Sequence, residues 1–110
     1  MTALKLKGHI WIENSKGHLI GPGRKELLEA VRDNGSIKSA AKAMKMSYRH
    51  AWEMINEINT ISAKPIVIKN AGGKSGGGAV VTKEGEALID SYKKLNAAFE
   101  KFISQMNQII

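Results

Sequence analysis

Two apolar stripes of helical period, each with a serine just before it, stand close together in the middle of this chain and leave few folds open. Ile37, Ala40, Ala41 and Met44 repeat at the i, i+3, i+4, i+7 spacing that lines one helix face, and Ser36 precedes them as an N-cap. Ala51, Met54, Ile55 and Ile58 form a second stripe, introduced by Ser47 in the same way. Between the two lies only the short Lys45-Met46 connection. The spacing predicts two short capped helices meeting across a tight turn, with the two alanines allowing a close approach.

The flanking segments extend this arrangement on both sides. Leu4, Leu6, Ile10 and Ile12 fall on even positions and Lys5, Lys7, His9 and Glu13 on odd ones, a period of two that reads as a strand from Leu4 to Glu13. Asn14-Ser-Lys-Gly17 is turn chemistry, His18-Leu-Ile20 is a short return strand, and Gly21-Pro-Gly23 stops it. A first helix is expected from about Arg24 to Asp33, burying Leu27, Leu28 and Val31, with Asn34-Gly35 as its C-terminal cap. Beyond the central pair, Pro65 ends the third helical region. Ile66–Lys69 then pairs with Ala79–Thr82 across a glycine-rich loop. Thr82 caps a final helix whose first turn carries Glu84 and Glu86, which complement its dipole.

The order helix, helix, tight turn, helix, β-hairpin is that of a winged helix-turn-helix. The expected fold class is therefore α+β, mainly α: a winged helix-turn-helix with an N-terminal hairpin and a long C-terminal dimerisation helix. Residues 1–82 form the head and 83–110 the helix, in one domain unit, as suits a chain of 110 residues. Along the final helix, Leu88, Tyr92, Leu95, Phe99, Phe102, Met106 and Ile109 are spaced alternately by four and three, a heptad seam. A single apolar stripe on an isolated helix needs cover, and a second copy of the chain is the simplest source. The alternative is a helix folded back over its own head.

Charge points to the partner. The net charge of +7 lies before the final helix, because Lys83, Lys93, Lys94 and Lys101 are balanced there by Glu84, Glu86, Asp90 and Glu100. From Lys38 to Lys74 the basic residues face only Glu53 and Glu57, a balance that suits a polyanion. With no cysteine, disulfides and thiolate metal sites are excluded. The N-terminus lacks the continuous apolar region of a secretory signal and no long uncharged stretch suits a bilayer, so a cytoplasmic, non-membrane protein is expected. His9, His18 and His50 have neither metal-ligand spacing nor a catalytic neighbour. Gly-Lys-Ser at 73–75 lacks the first glycine of a phosphate-binding loop, since position 68 is isoleucine, and a strand follows it instead of a helix. The expectation is a protein with no enzymatic activity, no cofactor and no metal.

Duplex DNA is the expected partner. Once the buried stripe of the third helix is assigned, Ser47, Tyr48, Arg49, His50, Trp52, Asn56 and Asn59 remain for its outer face. Arg49 is the first candidate for base readout, because its planar fork can donate twice to guanine; holding a phosphate is its other reading. Ser47, Tyr48 and His50 are candidates for phosphate, with helix capping the stronger role for Ser47. Trp52 is read chiefly as a packing residue against a neighbouring strand. Ser36, Lys38, Lys42, Lys69, Lys74 and Ser75 complete the candidate DNA-contacting set, the last two at the wing tip. A flexible tip without contacts is the plain alternative there.

At these motifs the sequence resembles the N-terminal DNA-binding domain of the ModE-type molybdate-responsive transcription regulators, related to the LysR-type helix-turn-helix. The resemblance rests on Gly8-His-Ile-Trp-Ile-Glu13, Gly21-Pro-Gly-Arg24 leading into Leu27-Leu-Glu-Ala30, Gly35-Ser-Ile37, Ser47-Tyr-Arg-His-Ala-Trp52, and Gly72-Gly-Lys-Ser-Gly-Gly-Gly-Ala79 followed by Thr82 and Gly85. It implies a homodimer on an inverted-repeat operator of molybdenum-related genes. Ser47, Tyr48, Arg49 and His50 then open the recognition helix, and Lys74 and Ser75 lie at the wing. Family members continue into paired β-barrel modules that bind molybdate. The expectation here is a regulator lacking the molybdate-binding domain, with a separate effector-sensing protein as a candidate partner. The readings from other classes are a winged-helix protein-interaction module and a sequence-indifferent DNA-coating protein.

Overall fold

The computed structural model describes residues 3–70 and 78–110. Lys74 and Ser75 lie outside the described residues. The elements run β1 (Ile12–Asn14), β2 (Gly17–Ile20), α1 (Pro22–Asn34), α2 (Ile37–Ala43), α3 (Tyr48–Ile61), β3 (Val67–Asn70), β4 (Gly78–Val81) and α4 (Lys83–Asn107). The architecture is mixed and mainly helical, with two antiparallel two-stranded sheets, β1-β2 and β3-β4.

Local chemistry sets the helix ends. Pro22 opens α1 with its fixed φ, and Gly35 closes it at φ 76°, donating its N–H to Val31 at 2.8 Å. The hydroxyls of Ser36, Ser47 and Thr82 each accept from the backbone N–H three residues on, that of Ser39, His50 and Gly85 respectively, all at 3.0 Å. The turn between α2 and α3 closes with Met46 N–H on Ala41 and places Lys45 at φ 56°, a left-handed position for which glycine is the usual residue.

The core gathers the buried stripes of three helices: Leu27, Leu28 and Val31 from α1, Ile37, Ala40 and Ala41 from α2, Ala51, Ile55 and Ile58 from α3. Ile20, Val67 and Val81 close it from the two sheets, Ile66 from just ahead of β3, and Ile89 and Tyr92 from α4. Met44 and Met54, expected within the buried stripes, are only half-buried; α2 ends before Met44, which serves as its C-cap.

Several boundaries differ from the sequence expectation. Helix α1 begins at Pro22, two residues ahead of the expected Arg24, so Pro22 and Gly23 open the helix where a stop was expected. Helix α3 stops at Ile61 with Ser62 as C-cap, four residues ahead of Pro65. The strands β3 and β4 are displaced by one residue from the expected ranges, in the register Val67↔Val81 to Asn70↔Gly78. Ser36 also bridges to Gly78, and Ala79 N–H donates to the Gly35 carbonyl at 2.9 Å, so the α1-α2 junction forms a third edge to this hairpin.

The largest departure is at the N-terminus. Of the expected strand from Leu4 to Glu13, only Ile12 and Glu13 pair with β2, joined by Asn14 from the expected turn; residues 3–11 carry no regular secondary structure. The alternation of the sequence describes an extended chain, but its neighbour is α4 and a helix offers no ladder of backbone partners. Side chains take that role. Asn107 accepts from Leu6 N–H at 2.7 Å and donates to Leu6 C=O at 3.1 Å, and the Tyr92 hydroxyl donates to Ile10 C=O at 2.8 Å.

This arm divides the heptad seam. Tyr92 is fully buried and Phe99 lies against Gly8, so these two face their own chain. Met106 and Leu88 are half-buried. Leu95, Phe102 and Ile109 remain 52%, 50% and 76% exposed.

Candidate nucleic-acid interface

The buried stripe of α3 turns its opposite face outward. Ala51, Ile55 and Ile58 anchor the helix, which leaves Tyr48, Arg49, His50, Glu53, Asn56 and Glu57 exposed. The Ser47 hydroxyl is held by its cap bond to His50, and Ser36 is held likewise at the start of α2. The Arg49 side chain is 89% exposed, and its Nε donates to Glu53 at 3.0 Å one helical turn on. On α2 and the turn, Lys38, Lys42 and Lys45 are exposed as well.

The electrostatics of this face follow from how its acids are used. Glu53 is engaged by Arg49, and Glu57 by Arg24 from α1 at 3.0 Å. Among the described residues Lys38, Lys42, Lys45 and Lys69 enter no ion pair; the first three are exposed, so their charge faces outward uncompensated. A helix start with arginine, tyrosine and imidazole on show, bordered by lysines, offers the donors that base edges and phosphate oxygens accept.

One residue left for this outer face does something else. Asn59 turns to β3, accepting from Ile66 N–H at 2.8 Å and Val67 N–H at 3.1 Å and donating to Val67 C=O at 2.9 Å. It brackets the root of the hairpin onto α3. Its partners lie seven and eight residues downstream across an irregular stretch, so no periodic signal marks it. Trp52 is half-buried against the core, as a packing residue, and carries the Lys69 ammonium 4.9 Å from its ring centroid.

Elsewhere, His18 stacks on Trp11 with ring centroids 6.2 Å apart, and burial, then the neighbouring Arg24, lowers its pKa below the ordinary histidine value. Among the described residues no group of three or more His, Cys, Asp or Glu side chains can hold a metal ion, and no helix is long and apolar enough to cross a membrane.

No protein-family model matches the chain. It is 31% identical over 108 residues to the molybdenum transport protein ModE of Azotobacter vinelandii, covering 98% of this chain and 40% of that protein. It is 39% identical over 92 residues to the molybdenum-pterin-binding protein MopB of Rhodobacter capsulatus, covering 84% of this chain and 34% of that protein. Against the DNA-binding transcriptional dual regulator ModE of Escherichia coli strain K12 the identity is 45% over 74 residues, covering 67% of this chain and 28% of that protein. The chain thus spans 40% or less of the length of these relatives. Over most of its own length it is similar to proteins named ModE and MopB, among them one named as a transcriptional regulator and none of these three named as an enzyme.

Proposed function

We propose that this chain is the DNA-binding head of a transcriptional regulator, a winged helix-turn-helix in which α3 enters the major groove and the β3-β4 hairpin lies along the backbone. The observation that carries this reading is the exposed first turn of α3, where Tyr48, Arg49 and His50 stand beside lysines whose charge no described acid offsets. Arg49 reads a base. Tyr48, His50 and Asn56 make neighbouring backbone or base contacts, while Lys38, Lys42 and, from the loop, Lys74 and Ser75 hold phosphates. Ser36 and Ser47 cap their helices and present the first-turn amides toward the backbone.

The apolar stripe of Leu95, Phe102 and Ile109, continued by Leu88, is the face for a second copy, so two heads bind an inverted repeat with half-sites about 34 Å apart. Tyr92 and Phe99 support that face by seating the N-terminal arm, and the half-buried Met106 adds to the stripe. The names of the relatives direct the proposal for the regulated genes to molybdenum uptake or use.

The test is selection of fragments from the source genome by the purified protein at about 150 mM salt, a physiological ionic strength, with Arg49→Ala alongside. Enrichment of an inverted repeat by the native protein and its loss in the variant is the expected result. Equal recovery of all fragments by both proteins means coating without sequence preference, and recovery of none means the head serves protein contacts instead.

A further inference from the structure

The hairpin is fastened to α3 at two places, and the outer one has an unusual chemistry. At the root, Asn59 makes its three hydrogen bonds to Ile66 and Val67. Further along β3 the strand and helix do not pack flush: a cleft of about 70 Å³ opens between them, lined by Trp52, Ile55, Asn56, Asn59, Val67 and Lys69. The span across it is made by the Lys69 ammonium over the Trp52 indole, at 4.9 Å from the ring centroid. An ammonium at that distance is held by the ring's quadrupole. Trp52 follows Arg49 by three positions and precedes Asn56 by four, so the tether acts on the segment of α3 that carries the proposed readout residues.

We infer that Lys69 and Trp52 act as a pair of positioning residues that set the angle between the hairpin and α3 for duplex DNA, with the Lys69 charge directed to the indole and not to a phosphate. This rests on the DNA-binding reading above. The two roles of a lysine differ in what salt does. A phosphate contact releases a counterion, and its removal lowers the slope of log affinity against log salt by about 0.9. A positioning lysine leaves the slope in place. Its loss is also not independent of its partner, so removing both residues weakens binding no further than removing one.

The experiment has a DNA-free arm and a DNA arm. In proton NMR of the free protein, the side-chain methylenes of Lys69 should be shifted upfield by the indole ring current, and Trp52→Leu should abolish the shift. In anisotropy titrations of a labelled 30-base-pair mixed-sequence duplex between 50 and 300 mM salt, Lys69→Gln and Trp52→Phe should each weaken binding roughly three- to tenfold with an unchanged salt slope. The double variant should match the weaker single, and Lys69→Arg should bind like the native protein because guanidinium also stacks on indole. Trp52→Phe keeps an aromatic ring in the half-buried site, so a loss of fold in Trp52→Leu does not confuse the result. A salt slope lowered by about 0.9 in Lys69→Gln, or multiplying effects in the double variant, overturns the inference in favour of direct phosphate contact. An absent ring-current shift overturns it without touching the DNA-binding reading. A present shift with no duplex binding in 50 mM salt removes that reading and the proposed role together.

Discussion

Arg49 and Glu53 form an ion pair at 3.0 Å on the exposed face of α3, one helical turn apart, so the residue proposed to read DNA is already occupied by its own helix. The pair is solvent-exposed, and exposed pairs of this spacing are weak. It holds the guanidinium along the helix and gives way when a better acceptor arrives. Glu53→Gln should therefore raise duplex affinity about two- to fivefold, through removal of a competing carboxylate and of one negative charge. Arg49→Ala should lower affinity for the selected repeat by about 10- to 100-fold, the worth of one bidentate base contact. Titration of both variants against the selected and a scrambled duplex checks the assignment; equal losses on the two duplexes point to phosphate.

Lys38 and Lys42 lie one turn apart on α2 with no acid beside them among the described ion pairs. Each acts as a point charge on the backbone in the proposed complex. Lys38→Gln and Lys42→Gln should each lower the salt slope by about 0.9 and weaken every duplex alike. A variant that keeps the native slope removes that lysine from the interface.

The division of the heptad seam makes opposite demands on neighbouring residues. Phe102 and Leu95 are half exposed, so Phe102→Glu or Leu95→Glu should separate the proposed dimer while leaving the melting temperature of the monomer nearly unchanged. Phe99→Glu forces a charge against Gly8 and the arm, and should lower that temperature. Sedimentation and thermal unfolding of the three variants distinguish the faces.

Gly85 marks the closest approach of α4 to the hairpin root. A Cβ there would stand 2.5 Å from the Ile66 carbonyl oxygen and 2.7 Å from Val81 Cγ1, so backbone must move to admit it. Gly85→Ala should destabilise the protein by about 2 kcal/mol, as overpacking commonly does. Denaturant unfolding measures this, and a neutral result means that α4 can shift without cost.

Tyr92 ties the arm to α4, and its ionisation should release it. Burial raises the phenol pKa above its ordinary value of 10.0, with Lys25 opposing and Glu100 adding to the shift. Because the folded pKa exceeds the unfolded one, the contribution is complete below pH 10 and is lost as pH climbs through the folded value. Tyr92→Phe should cost about 1 kcal/mol at neutral pH through the unpaired Ile10 carbonyl, and should show a smaller fall in stability above pH 10 than the native protein. Unfolding curves between pH 8 and 11 test both.

The helix caps were legible because capping is local: Ser36, Ser47 and Thr82 each bond an amide three residues away, and Gly35 supplies the left-handed residue that ends α1. The buried stripes followed from helical period alone, since Leu27, Ala40, Ile55 and their neighbours can share a core only in that conformation. Charge located the basic, acid-poor stretch from Lys38 to Lys74 for a similar reason, because composition survives folding. Sequence did not decide where an extended segment finds its partner. The alternation of Leu4 to Glu13 fits a strand and fits equally an arm laid on a helix, and Asn107, 101 residues from Leu6, and Tyr92, 82 residues from Ile10, chose the second. Nor did the heptad spacing say that Tyr92 and Phe99 face their own chain while Leu95 and Phe102 stay open, because the period defines a stripe and not its neighbour. Asn59 differs from Asn56 on the same helix through the strand that returns beside it, a contact that tertiary packing creates and no local pattern encodes.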